Sequence, residues 1–208
     1  MQVAYTHCGE FGTRVAEDLA HELTSYISPS TSSATRPFSR AVFYSGGSEA
    51  LESCIKLARQ FHIENGQPER THFVARGMSY HGNTLGALQL GRFMARRTPY
   101  EPILNERNFH AVSPCFPYRY KPSDQSTEDY VASLAQELED KLQELGPNKV
   151  AAFFLEPVVG AASGCAADVP GYLQAMREVC DRHGVLLCYD EVRRSLPFNF
   201  NDVTGVAR

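Results

Sequence analysis

Four short segments hold residue types that could do chemistry together. Ser45-Gly46-Gly47-Ser48-Glu49 combines two glycines, which let a backbone approach a ligand closely, with hydroxyls that can donate to an anion. A helix starting there would aim free N–H groups at a phosphate. The segment is neither a Walker A loop nor a GxGxxG fingerprint. By itself it also describes a tight strand-to-helix turn with Ser48 as the helix cap. Ser79-Tyr80-His81-Gly82 sets a phenol and an imidazole beside glycine, suited to stacking on a planar heteroaromatic group or to a part-buried turn. In Glu156-Pro157 the proline keeps the carboxylate out of the helical region. Asp190-Glu191 follows five apolar residues, so a carboxylate there lies near a low-dielectric core and needs a partner. A metal, a pyridinium nitrogen or an arginine would each serve.

These groups act together only if the fold collects them. Arg40–Tyr44, Thr71–Ala75, Val150–Leu155 and Val185–Tyr189 are apolar runs of strand length, and each ends at one of the four segments. Helical spacing predicts a helix over Phe11–Ile27, followed by a polar loop over 30–37. A second follows the Ser48 turn, with Leu51, Cys54/Ile55, Ala58 and Phe61/His62 on its stripe, and ends near Asn65-Gly66. Further helices are expected at Thr84–Phe93, after a Ser126/Asp129 capping box, and at Gly171–His183. Pro114, Pro117 and Pro122 make 113–126 irregular. Strands alternating with helices, two of the strands apolar on both faces, point to a three-layer α/β domain with a mostly parallel sheet. Ligands in such sheets sit beyond the carboxyl ends of the strands. A phosphate site, a stacking aromatic and a carboxylate for a ring nitrogen, all at that edge, suit pyridoxal 5′-phosphate (PLP).

Composition narrows the alternatives. The 208 residues carry a net charge of −4 and are 43% hydrophobic, ordinary for a globular domain. Mild acidity argues against a nucleic-acid binder. No run reaches the roughly 20 apolar residues of a spanning helix, so no membrane partner is expected. The start lacks a signal peptide. Six scattered cysteines without a CxxC pair point to a reducing, cytoplasmic setting and to no structural metal.

The stretch from Phe43 through Ser48 to Arg59 resembles the class III aminotransferases of PLP fold type I. So do Ser79-Tyr80-His81-Gly82-Asn83-Thr84, Phe154-Leu155-Glu156-Pro157-Val158, Pro170-Gly171-Tyr172-Leu173 and Cys188-Tyr189-Asp190-Glu191-Val192, in that order. The resemblance runs from about Phe11 to Val192. It implies that Gly47 and Ser48 bind the cofactor phosphate, and that Tyr80 and Val192 flank the pyridine ring. His81 would neighbour the ring or support Tyr80, Glu156 would lie at the cofactor edge, and Asp190 would hold the pyridinium nitrogen. The family implies amino-group transfer between an amine and a 2-oxo acid or aldehyde, and a homodimer.

The chain also departs from the family. After Val192 the sequence 193–208 matches nothing recognisable and contains no lysine, so the family's Schiff-base lysine is absent. Lys56, Lys121, Lys141 and Lys149 read as surface amines. The expectation is a truncated chain: a leading helix and loop over 1–39, a partial PLP-binding large domain over 40–192, an atypical tail over 193–208, and no small C-terminal domain. Two alternatives stay open. One is a catalytically inactive PLP-binding or heterodimerising fragment. The more remote one is an unrelated phosphate-binding α/β module.

Overall fold

The computed structural model describes residues 12–27 and 38–192, which fall into two units. The expected loop over 30–37 and the tail over 193–208 lie outside the described residues. In the first unit, α1 (Arg14–Ile27) forms as expected, and the Thr13 hydroxyl accepts a bond from the Ala16 N–H in its opening turn. The strand expected over Arg40–Tyr44 does not form: residues 38–44 have no regular structure. A strand exists by pairing, and none of the described strands pairs with this segment. Val42, Phe43 and Tyr44 are exposed.

The second unit begins with α2 (Gly47–Glu64), β1 (His72–Arg76), α3 (Leu85–Leu90), α4 (Met94–Arg97) and β2 (Phe109–Val112). It continues through α5 (Pro117–Tyr120), α6 (Thr127–Leu145), β3 (Val150–Leu155), α7 (Tyr172–His183) and β4 (Leu186–Tyr189). The four strands form one parallel sheet in the order β2-β1-β3-β4. All six residues of β3 are buried, because helices cover both faces of the sheet. Val74, Phe153, Leu155 and Leu187 pack with Leu134, Leu138 and Leu142 of α6 and Met176 of α7. Phe73, Ala75 and Phe154 pack on the other side with Leu51, Ile55 and Ala58 of α2 and Leu90 of α3. The pairing register of β1 on β3 slips between His72 and Phe73, which lets Ala151 and Ala152 both join the α2-side cluster. This is the three-layer α/β architecture expected from the alternating pattern.

Local signals set most of the boundaries. The Ser126 hydroxyl caps α6 by accepting from the Asp129 N–H at 3.0 Å, and the left-handed residue Gly184 (φ +61°) ends α7. The expected Thr84–Phe93 helix is shorter. α3 stops at Gly91, after which the Arg92 N–H turns away to bond the Ser79 carbonyl. Three elements had no sequence forecast, α4 being a single turn past the end of the expected Thr84–Phe93 helix. β2 is four residues long with weak alternation and forms by pairing to β1; α5 is a single turn begun by Pro117. Among the described residues, no helix is long and apolar enough to cross a membrane.

Candidate functional site

The carboxyl ends of the parallel strands and the start of α2 enclose an open pocket of about 350 Å³, within the ordinary range for small-molecule sites. β1 leads into Ser79–Gly82, β3 into Glu156 and β4 into Asp190, so three strand ends converge there. Gly47, Ser48, Tyr80, His81, Glu156, Asp190 and Val192 all line it, and Arg96, Gly160 and Ala161 complete the wall. The strand ends of the sequence, with the family resemblance for Val192, point to the first group. The sequence has no signal for the second, because α4 and the turn after β3 reach the pocket only through the folding of the chain.

The phosphate-type end is built on α2. Its N-cap is Gly46 in extended conformation, with no side-chain capping bond, so the opening N–H groups lack an internal acceptor. Ser48 does not cap the helix. Its hydroxyl oxygen accepts from the Asn83 N–H at 2.9 Å and fastens the β1–α3 turn to the helix start. That fastening depends on Gly82. Its φ is +136°, and a Cβ there would lie 2.6 Å from Ser48 Oγ and 2.9 Å from Ala87 Cβ. Nearby, Glu52 Oε1 accepts from the Gly86 N–H at 2.7 Å and ties α2 to α3.

The acidic end holds two buried carboxylates with different attachments. Glu156 receives the Tyr80 N–H on Oε1 at 2.9 Å and the Gly160 N–H on Oε2 at 3.0 Å, so it joins two pocket loops. Asp190 Oδ2 lies 3.0 Å from His81 Nδ1, both side chains being almost wholly buried. Asp190 Oδ1 accepts from the Val192 N–H at 3.3 Å. A carboxylate has about four acceptor sites, so Asp190 keeps capacity for one more donor. His81 therefore engages Asp190, and Nε2 of its ring is buried without a hydrogen-bond partner. Burial raises the Cys54 thiol pKa, and the negative charge of Asp190 raises it further.

Beneath the loops lies a support that the sequence did not reveal. Arg76, at the end of β1, is fully buried; it donates to the Asp168 carboxylate and the Glu156 carbonyl and stacks on Tyr172 at 5.6 Å. Asp168 and the Glu156–Pro157 backbone are thereby held together at the base of the turn carrying Gly160.

Comparison with known proteins decides the family. A family model described as aminotransferase class-III matches residues 1–195. The chain belongs to the class III aminotransferases. An uncharacterized aminotransferase of Schizosaccharomyces pombe is 48% identical over 92% of this chain and 40% of its own length. An aminotransferase of Gibberella zeae is 43% identical over 90% of this chain and 36% of its own. Among solved structures, a PLP-bound amine transaminase from an uncultivated Pseudomonas species superposes with a TM-score of 0.80 at 32% identity, covering 90% of this chain and 40% of that one. The chain thus spans about 40% of the length of these class III relatives. Its sheet matches the large domain of the fold type I transaminases.

Proposed function

We propose that the pocket holds pyridoxal 5′-phosphate through Gly47, Ser48, Tyr80, His81, Glu156, Asp190 and Val192, and that it serves amino-group transfer between small amines and 2-oxo acids. The observation that carries this reading is Asp190: a buried carboxylate with spare acceptor capacity, braced by His81, facing the same pocket as an uncapped helix start. The residues present fit the cofactor. Uncapped N–H groups of α2 and the Ser48 hydroxyl suit its phosphate. The Tyr80 ring and the Val192 side chain, 70% exposed beside the pocket, offer the two faces between which a planar ring packs. Asp190 keeps a proton on the ring nitrogen, and His81 holds that carboxylate in place. Glu156 fixes the loops carrying Tyr80 and Gly160. When bound, the cofactor supplies an electron sink, and a protonated ring nitrogen strengthens it. A second copy of the chain is the partner proposed for it.

One observation favours a second reading of the same site. None of the four lysines lines the pocket, and Lys56 is exposed on α2. Cofactor binding without turnover, or pairing with a complete relative, would use the same residues. Titrating the full chain with PLP, followed by absorbance, tests both. Loss of the Asp190 partner removes a charge-assisted bond of about 1.5–3 kcal/mol, so Asp190→Ala should weaken binding at least about tenfold. Lys56→Ala should leave it unchanged. Equal affinity in the two variants would sink the site. Borohydride reduction then separates the readings: one labelled lysine with turnover marks an enzyme, whereas saturable binding without turnover marks a binding protein.

A further inference from the structure

Arg76 ends β1 wholly buried and does not line the pocket, yet its bonds lead to a side chain that does. A buried ion pair is weak evidence for stability, since replacing both partners by apolar side chains of similar volume is often neutral or better. What a guanidinium offers instead is a planar fork of donors in fixed directions. Nη1 donates to the Asp168 carboxylate and Nη2 to the Glu156 carbonyl, and the Tyr172 ring backs the guanidinium at 5.6 Å. Glu156 then reaches back. Its Oε1 accepts the N–H of Tyr80 at 2.9 Å, in the loop that follows Arg76 directly. Residues 76–80 are thus tied to Glu156 at both ends, to its carbonyl at one and to its carboxylate at the other.

Inside that closed loop lies a strained residue. Met78 has φ +52°, a conformation that a long side chain seldom adopts. Such a residue persists only where its surroundings over-determine it. Two further bonds touch the segment without reaching Tyr80. The Gly77 N–H donates to the Val112 carbonyl at 2.7 Å, and the Ser79 carbonyl accepts from the Arg92 N–H at 2.9 Å. Arg96 lies over the Tyr80 ring, 4.9 Å from its centroid, but as an exposed side chain it follows the ring rather than fixing it. We infer that Arg76 is a positioning residue for Tyr80. By clamping the Glu156 carbonyl it aims the carboxylate that holds the Tyr80 N–H, which keeps Met78 left-handed and the Tyr80 ring on the pocket. This rests on the cofactor reading above, which gives that ring its partner.

Fluorescence titration of the full chain with pyridoxamine 5′-phosphate tests this without requiring turnover. Arg76→Lys keeps a positive charge opposite Asp168 but loses the fork. It should weaken binding about fivefold, the worth of a well-placed ring stack. In a Tyr80→Ala chain the same substitution should cost nothing further, because no ring is left to place. Adding Met78→Gly to Arg76→Lys should recover most of the loss, since glycine takes the left-handed conformation without strain. Met78→Gly alone should leave affinity unchanged. If Arg76→Lys does not fold, Arg76→Met with Asp168→Asn, which leaves no buried charge, runs the same cycle. A loss of equal size with and without Tyr80 would overturn the assignment and mark Arg76 as a general support. So would undiminished affinity when Arg76 is replaced, or no recovery from Met78→Gly; in each case this inference alone falls. If the unaltered chain does not bind pyridoxamine 5′-phosphate, the cofactor reading falls and takes the inference with it.

Discussion

At the scale of single residues, the site depends on a few positions where chemistry or space leaves no substitute. Gly82 is one: its positive φ and the close approach of Ser48 and Ala87 exclude any Cβ. Gly82→Ala should destabilise the fold by about 2 kcal/mol or more, from strain and displacement of the α2 start. Urea unfolding measures this, and an unshifted midpoint would contradict it. Asp190 is another, since its backbone N–H is fixed to the Leu155 carbonyl while its side chain reaches His81. A buried carboxylate tolerates that position because it is hydrogen-bonded on both oxygens.

At the scale of elements, the edge of the sheet away from the pocket has its own titration behaviour. His72 at the start of β1 and His110 on β2 place Nδ1 and Nε2 2.8 Å apart, with rings 5.0 Å apart. Burial lowers both imidazoles below the usual value, helped for His72 by Lys149 and Arg107, and for His110 by His72, Lys141 and Arg92 against Glu144. The fold therefore resists a proton that the unfolded chain accepts. Stability is complete above the unfolded value of about 6.5 and falls as pH drops below it. A second loss begins below 4.5, where Glu139, held at about 2 chiefly by its bond from Arg182, links α6 to α7. Urea unfolding between pH 7.5 and 5.5 should show a shallower decline for His110→Gln than for the unaltered chain. Identical slopes would rule out the histidine pair as the cause.

At the scale of the whole molecule, the unpaired edge of the sheet at β4 matters. Among the described residues β4 pairs with β3 on one side and with nothing on the other, and Leu186–Tyr189 contains no charge or proline to blunt that edge. Val42, Phe43 and Tyr44 add exposed apolar surface in the other unit. The purified chain should accordingly self-associate, its weight-average mass by light scattering rising with concentration. A mass that stays monomeric at every concentration would contradict this.

Local chemistry is what the sequence by itself determined. Periodic apolar residues and Gly or Pro punctuation set α2, α6, α7, β1, β3 and β4, because those signals act within one or two turns of chain. The parallel sheet, and therefore the edge where Glu156 and Asp190 sit, followed from helices alternating with apolar runs. Pairing over long distance was decided by the tertiary structure alone. It joined His81 to Asp190 across 109 residues of chain, brought Arg96 to Tyr80, seated Arg76 beneath Glu156, formed β2 and left Arg40–Tyr44 without a strand. A strand or a buried ion exists only through its partner, and the partner's position is not written in the neighbouring residues.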